Sequence, residues 1–323
     1  MARSTQALSV PGAFSGRRSS IRARRRRVAS IRALHILGRA GVVVVGARSG
    51  RYRPFPSARR RGMVPPMSNL FSIDGKVALV TGGSRGIGLM IARGFVEAGA
   101  KVYISSRKAE VCDQVAAELS RQGTCGSLPA DCSTDGGARG LAEALARREP
   151  ALHILVNNAG SNWGAPLAEY PDSAWDKVLA LNVKGVFHLT RACLPLLERA
   201  AQPGDPARVI NIGSIDGLHV PVLETYAYSA SKAAVHHLTR VLAHRLAAQN
   251  ITVNAIAPGP FESKMMHETL ERFRDAIVAS CPLGRIGEPE DMAGAAIYLA
   301  SRAGAYLTGA VIPVDGGITT RHA

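Results

Sequence analysis

Tyr228 and Lys232 stand four residues apart, and Ser214 precedes the tyrosine by 14 residues. On a helix, positions i and i+4 share a face, so a phenol and an ammonium would lie one turn apart. A phenol ordinarily titrates near ~10, too high to exchange protons well at neutral pH, and a neighbouring ammonium favours the phenolate. The spacing therefore predicts a lowered phenol pKa. Ser214 follows the apolar run Arg208-Val209-Ile210-Asn211-Ile212, which reads as a buried strand. Placed on the same side, its hydroxyl could hold a carbonyl oxygen against the phenol. That combination is a general-acid device for reducing a ketone. Tyr226 is nearby too, but its i+4 residue is Ala230, which offers no ammonium.

Other elements must bring these groups together. Residues 76–80 (KVALV) read as a short buried strand, followed by Thr81-Gly82-Gly83-Ser84-Arg85-Gly86-Ile87-Gly88 and a helix through Ala98. Glycines at 82, 86 and 88 allow a sharp turn and let a pyrophosphate approach the helix N-terminus, where free N–H groups and the helix dipole favour anions. After a second strand at 101–105, an NAD site would carry an Asp or Glu for the ribose 2′-hydroxyl. Ser105, Ser106 and Arg107 stand there instead. A cation suits a 2′-phosphate, and Arg85 can join it, so NADP(H) is the expected cofactor.

The third strand is expected to end at Ala130-Asp131-Cys132, and the fourth, 152–156, to run into Asn157-Asn158-Ala159-Gly160. Asn182 is expected to open a helix. Later strands at 251–257 and 310–314 lead into Pro258-Gly259 and Asp315-Gly316-Gly317. Strands separated by helix-length segments, 109–121 and 134–147, predict βαβ units. The expected fold class is α/β: a single Rossmann-type, doubly wound, parallel seven-stranded sheet with helices on both faces, spanning 67–323.

The net charge of +16 has one location. Residues 1–73 hold 16 arginines, no lysine and no acidic residue, and the remaining 24 basic residues balance the 24 acidic ones. The folded part is near neutral, so composition gives it no nucleic-acid signature. Residues 1–66, with Arg24-Arg25-Arg26-Arg27 and no sustained period, are expected to be a disordered basic arm. Three readings apply to it: an organelle transit peptide, a nucleic-acid-binding arm, or translated upstream sequence before a true start at Met63 or Met67. The last is preferred. The longest apolar piece, 41–47, is far short of a membrane span. Five cysteines without a C-x-x-C pair suit free thiols in a reducing, cytoplasmic setting. Nine histidines without ligand spacing predict no metal site.

Taken together, TGGSRGIG (81–88), Asp131, NNAG (157–160), Asn182, Ser214, Tyr228 with Lys232, and Pro258-Gly259 resemble the short-chain dehydrogenase/reductase family, over about residues 71–318. Within it, ARVINIGS, TYAYSASKAA, PGPFESKM and GAYLTGAVIPVDGG resemble the 3-oxoacyl-thioester reductases, and more narrowly their rhamnolipid branch.

The resemblance implies a catalytic set of Asn182, Ser214, Tyr228 and Lys232. Tyr228 would act as general acid, Lys232 would also hold the nicotinamide ribose, Ser214 would polarise the carbonyl, and Asn182 would anchor a relay water. It implies that Gly82, Ser84, Arg85, Gly86, Ile87, Gly88, Arg107, Asp131 and the Cys132 N–H hold the phosphates and adenosine. Asn158, Ala159, Gly160, Pro258, Gly259, Phe261 and Ser263 would line the nicotinamide end. Trp163, Val220 and Met265, with Leu218, Pro221 and Met266, form an apolar set suited to an acyl chain or to packing a lid. Arg199 falls near one carrier-docking arginine of the family and Gln249 replaces the other, so acyl carrier protein and coenzyme A thioesters both stay open. A homotetramer in fatty acid or lipid metabolism is implied. The alternatives are a polyol or gluconate dehydrogenase of the same family, and a non-catalytic NADP-binding protein.

Overall fold

Seven strands make up one parallel sheet in a computed structural model that describes residues 69–320. They are β1 (Val77–Thr81), β2 (Lys101–Ser105), β3 (Cys125–Ser127), β4 (Ile154–Asn157), β5 (Ala207–Ile212), β6 (Ile251–Pro258) and β7 (Val311–Val314), in the order β3-β2-β1-β4-β5-β6-β7. The basic arm lies outside the described residues. The chain works outward from β1 to β3, then returns to pair β4 against the other side of β1, with Leu79 registered to both Tyr103 and Leu155. Open parallel sheets bind ligands where the order reverses, beyond the strands' carboxyl ends.

The continuous apolar character of the strands has a packing cause. Ala78 and Val80 of β1 enter one core, with Ile91 and Phe95 of α1 (Gly86–Glu97) and Met292 and Leu299 of α8 (Pro289–Ala300). Val77 and Leu79 enter the other, with Leu141 of α3 (Asp135–Ala146), Leu189 and Cys193 of α5 (Val186–Ala200), and Ala243 of α6 (Tyr226–Leu246). Alternate side chains of one strand thus serve opposite faces. Each fully buried large side chain contributes about 1.5–3 kcal/mol. The remaining helices are α2 (Ala109–Leu119), α4 (Asp172–Leu179) and α7 (His267–Ser280).

Two expectations change. β3 ends at Ser127 rather than at 130–132, because Pro129 has no N–H to give the ladder. The chain still runs beside β2, with Leu128 and Ala130 donating N–H to the Ile104 and Ser106 carbonyls at 2.9 and 3.1 Å. Asn182 does not open a helix. It sits within a π-helical segment, Ala180–Gly185, that joins α4 to α5 in one helical run. Such insertions turn a side chain off the regular face and occur often at functional sites.

A buried polar ladder crosses the sheet. Asn157 donates its amide to Thr190 and Asn211 at 3.1 and 2.9 Å, and Asn211 donates to Thr239 at 2.9 Å. It ties β4 and β5 to α5 and α6, the elements that carry the site. All five cysteines are free thiols. Among the described residues, no helix is long and apolar enough to cross a membrane, and no group of His, Cys, Asp or Glu could hold a metal ion.

Candidate active site

The carboxyl ends of β1, β4, β5 and β6 converge on one cleft. Ser214 lies two residues beyond β5 and caps a short 3-10 turn, Ile215–Gly217, where its Oγ accepts the Asp216 N–H at 3.1 Å. Ser214 also hydrogen-bonds the Tyr228 phenol, a contact that favours the phenolate. Tyr228 and Lys232 lie in the first turns of α6 as the i, i+4 spacing requires, the Lys232 Nζ being 5.3 Å from the Tyr228 ring centre. The ammonium donates to the Ile212 carbonyl at 2.8 Å, which fixes it at the end of β5.

The electrostatics reverse the sequence expectation. Burial pushes the Tyr228 phenol up to about 12, the Ser214 hydrogen bond pulls it down, and Asp216 raises it further. Burial also pushes Lys232 down to about 8, against the pull of Asp216. Desolvation is the largest cause at each group and disfavours both charged forms. The phenol is therefore protonated at neutral pH, as a proton donor must be.

Asn182 joins this group through the π segment. Its Oδ1 accepts the Ser161 N–H at 2.9 Å, and its Nδ2 donates to the Ser161 carbonyl and to Ser231 Oγ at 3.0 and 2.9 Å. Ser231 Oγ in turn donates to the Tyr228 carbonyl at 2.6 Å. The side-chain amide is thus committed to bracing the segment after β4 against the helix of Tyr228. Sequence reasoning missed Ser231, and also Asp216, which sits between the serine and the lysine; an acid two residues past the candidate serine was the available signal.

The glycine loop fits a dinucleotide phosphate. Gly82 has φ +64°, and a Cβ on Gly88 would stand 2.3 Å from the Gly82 carbonyl oxygen. α1 begins with Arg85 at its N-cap, without a capping side chain and without an acid in its first turn, so its N–H groups face outward unneutralised. Ser84 lies in this loop and Ile87 in the first turn of α1. Asn158 braces it, donating its amide to the Thr81 carbonyl at 2.8 Å, while the Asn158 and Ala159 N–H groups both bond Thr81 Oγ1 at 3.0 Å. In the sequence Thr81 reads only as the start of the glycine motif, without a role of its own. Arg85 and Arg107 are exposed at the rim. Asp131 accepts the Ser133 N–H at 3.0 Å, and that bond, with Arg107 contributing, holds its carboxyl below the usual range.

Gly160 lies by Lys232, its notional Cβ 3.9 Å from Nζ, and a Cβ on Gly86 would stand 3.2 Å from the Ser263 Cβ. Pro258 ends β6, and the Gly259 N–H bonds the Val314 carbonyl at 2.9 Å. Phe261 differs from expectation. Its ring is 2% exposed and packs against Gly287, so only its main chain can face a cofactor. Of the apolar set, Val220 is 91%, Met265 49% and Trp163 37% exposed, which makes them a cleft rim rather than a packed lid. Arg199 Nε donates to the Pro150 carbonyl, and Gln249 lies exposed in the 3-10 turn after α6. Tyr226 is outside the group, its hydroxyl donating to Glu224 at 2.7 Å.

His236, one turn beyond Lys232, is buried inside the serine turn, and a Cβ on Gly213 would meet its Nε2 at 2.1 Å. Burial first, then the Lys232 charge, pushes its imidazole down to about 4. The unfolded chain protonates this histidine near ~6.5, so between about 4 and 6.5 it binds more protons than the native state. Stability is complete above that window and falls as pH drops through it, by up to about 3 kcal/mol. Thermal unfolding at pH 4.5 and 7 should show this acid sensitivity, and His236→Gln should reduce it. An equal drop in both proteins would remove His236 as its source.

Comparison with known proteins gives a consistent set. A family model described as enoyl-(acyl carrier protein) reductase matches residues 82–319. The rhamnolipids biosynthesis 3-oxoacyl-[acyl-carrier-protein] reductase of Pseudomonas aeruginosa is 53% identical over 253 residues, covering 78% of this chain and 99% of the relative. The galactitol 2-dehydrogenase (L-tagatose-forming) of Cereibacter sphaeroides is 40% identical, over 77% of this chain and 97% of its own. Among solved structures, the Pseudomonas aeruginosa RhlG/NADP active-site complex superposes with a TM-score of 0.76 at 52% identity, covering 78% of this chain and 99% of that one.

Proposed function

Because the chain belongs to the short-chain dehydrogenase/reductase family, we propose that it reduces the ketone of a 3-oxoacyl thioester to the 3-hydroxyacyl product with NADPH. It is an NADP-dependent oxidoreductase. The observation that carries the reductive reading is the Ser214–Tyr228 hydrogen bond with the Lys232 ammonium against the tyrosine ring.

NADPH, when bound, supplies the hydride. The chain's own residues do the rest. The N-terminus of α1 and the Gly82–Gly88 turn would take the pyrophosphate, Arg85 and Arg107 the 2′-phosphate, and Asp131 with the Cys132 N–H the adenine. Asn158, Ala159 and Gly160, with Pro258, Gly259, Ser263 and the main chain of Phe261, would border the nicotinamide, whose ribose Lys232 would hold. Ser214 donates to the substrate carbonyl oxygen, and Tyr228 gives that oxygen its proton as negative charge develops there. Lys232 stabilises the phenolate left behind, and it is better placed to do so below about pH 8, where it is charged. Asn182 holds Tyr228 in position through Ser231, and a relay water would be met by its main chain.

Arg107→Asp should raise the KM for NADPH about 10–100-fold, since hydrogen bonds to charged groups contribute about 1.5–3 kcal/mol. It should also move preference toward NADH. An unchanged NADPH/NADH ratio would remove Arg107 from the 2′-phosphate site.

The thioester, whether of coenzyme A or of acyl carrier protein, is the proposed partner, and a homotetramer the proposed assembly. Five free thiols support a reducing, cytoplasmic location. The test is NADPH oxidation by the full chain with acetoacetyl-CoA, beside NADP⁺ reduction with galactitol and gluconate. Thioester turnover is expected. Polyol oxidation without thioester turnover would move the substrate to the class of the 40%-identical galactitol dehydrogenase. No turnover of any of them would leave only cofactor binding.

A further inference from the structure

Beside the catalytic turn lies a second cleft of about 610 Å³, between the segment after β4 and the loop that follows Ser214. One wall is aromatic. Tyr170 meets Tyr226 and Trp175 edge to face, with ring centres 5.2 and 6.2 Å apart. Leu167, Val220, Pro221 and Leu223 add aliphatic surface. Such a lining alone would suit any apolar ligand, but three polar groups face the same space.

His219 donates Nδ1–H to the Val220 carbonyl at 2.9 Å, because a carbonyl can only accept. With that proton on Nδ1, Nε2 is left as an acceptor, and that atom is buried without a partner. Ser229 Oγ is likewise buried and unpaired. Among the described residues no donor pairs with the Asp216 carboxylate, which lines the cleft while its N–H holds Ser214 Oγ. Buried polar atoms in native proteins have partners as a rule, so two unpaired ones on residues that line one cleft, beside a carboxylate, mark a ligand's place. The ligand must offer donors, at least one acceptor, and aliphatic surface. An alkyl chain would leave all three groups desolvated and unpaired. A phosphate would face a carboxylate with no lysine or arginine in the lining.

We propose that this cleft receives the pantetheine arm of the substrate. Its amide N–H and hydroxyl groups bond His219 Nε2 and Asp216, an amide carbonyl accepts from Ser229, and its branched methyl segment lies on the aromatic wall. The assignment rests on the thioester reading above, and the arm is common to coenzyme A and carrier-protein thioesters. The cleft begins two residues from Ser214, so the arm would lead directly from the reacting carbonyl.

The test uses the full chain with acetoacetyl-CoA, acetoacetyl carrier protein and ethyl acetoacetate, which has the same reacting ketone and no arm. The wild type should favour at least one thioester over the ester by at least about 100-fold in kcat/KM. His219→Phe and Ser229→Ala should each cut the thioester-to-ester ratio at least about tenfold, mainly through KM, and the source of the arm is the thioester with the higher kcat/KM. If the wild type reduces a thioester and neither variant changes the ratio, the cleft assignment is wrong and the reductase reading stands. If the wild type reduces neither thioester, both fall together.

Discussion

Tyr228→Phe should lower kcat for ketone reduction by about 10²–10⁴-fold, the usual contribution of a positioned general acid, while NADPH still binds. The substitution removes one oxygen from a ring that stays packed on α6, so the fold and the cofactor cleft have no reason to change. What disappears is the hydroxyl that, alone among the described residues, is both bonded to Ser214 and backed by an ammonium. Ser214 cannot take over easily, because an aliphatic hydroxyl is a far weaker acid than a phenol. Lys232 is held by its bond to the Ile212 carbonyl at 2.8 Å. Two measurements check this: single-turnover NADPH oxidation for the rate and NADPH fluorescence for binding. A variant that keeps more than about a tenth of wild-type kcat would falsify the assignment of Tyr228 as the acid.

Gly88→Ala should weaken NADPH binding at least about 10–100-fold and also lower stability by about 1–3 kcal/mol, the range for overpacking a tight site. The new methyl carbon would stand 2.3 Å from the Gly82 oxygen and 2.4 Å from Asn158 Nδ2. Neither neighbour can withdraw freely. Asn158 is pinned to the Thr81 carbonyl and the Thr81 hydroxyl pins both following N–H groups, so relief must come from moving the glycine turn itself. That turn is the part that would approach the pyrophosphate. Fluorescence titration and thermal unfolding of the variant separate the two effects. Wild-type affinity in a protein with an intact melting transition would show that the turn does not contact the cofactor.

Periodicity and punctuation made most of this protein readable in one dimension. Short apolar runs ending in Gly, Ser or Asn, with helix-length intervals between them, leave a parallel sheet with two covered faces as the economical arrangement. Helical geometry then puts Lys232 one turn from Tyr228 without further information. The missing carboxylate after residue 105 and the arginine at 107 pointed to NADP by charge alone. These features are local, and local sterics or charge decide them.

What the sequence could not settle depends on distant neighbours. The sign of the Tyr228 shift is set by how much of β5, the serine turn and α6 closes over the phenol, burial being the largest influence on it. Asn182 reads as a helix start, yet the packing of α4 and α5 continues the helix through a π segment that turns its amide toward Ser161 and Ser231. Phe261 looks like a cleft residue by spacing and is a core residue by packing. Asp216, His219 and Ser229 carry no motif, because their meaning lies in facing one cavity while being up to 13 positions apart. The sequence alone therefore determined the fold class, the i, i+4 placement of Tyr228 and Lys232, and the cofactor's charge. Only the tertiary structure decided protonation, orientation and the second cleft, since desolvation and convergence are properties of packed surfaces and not of spacing.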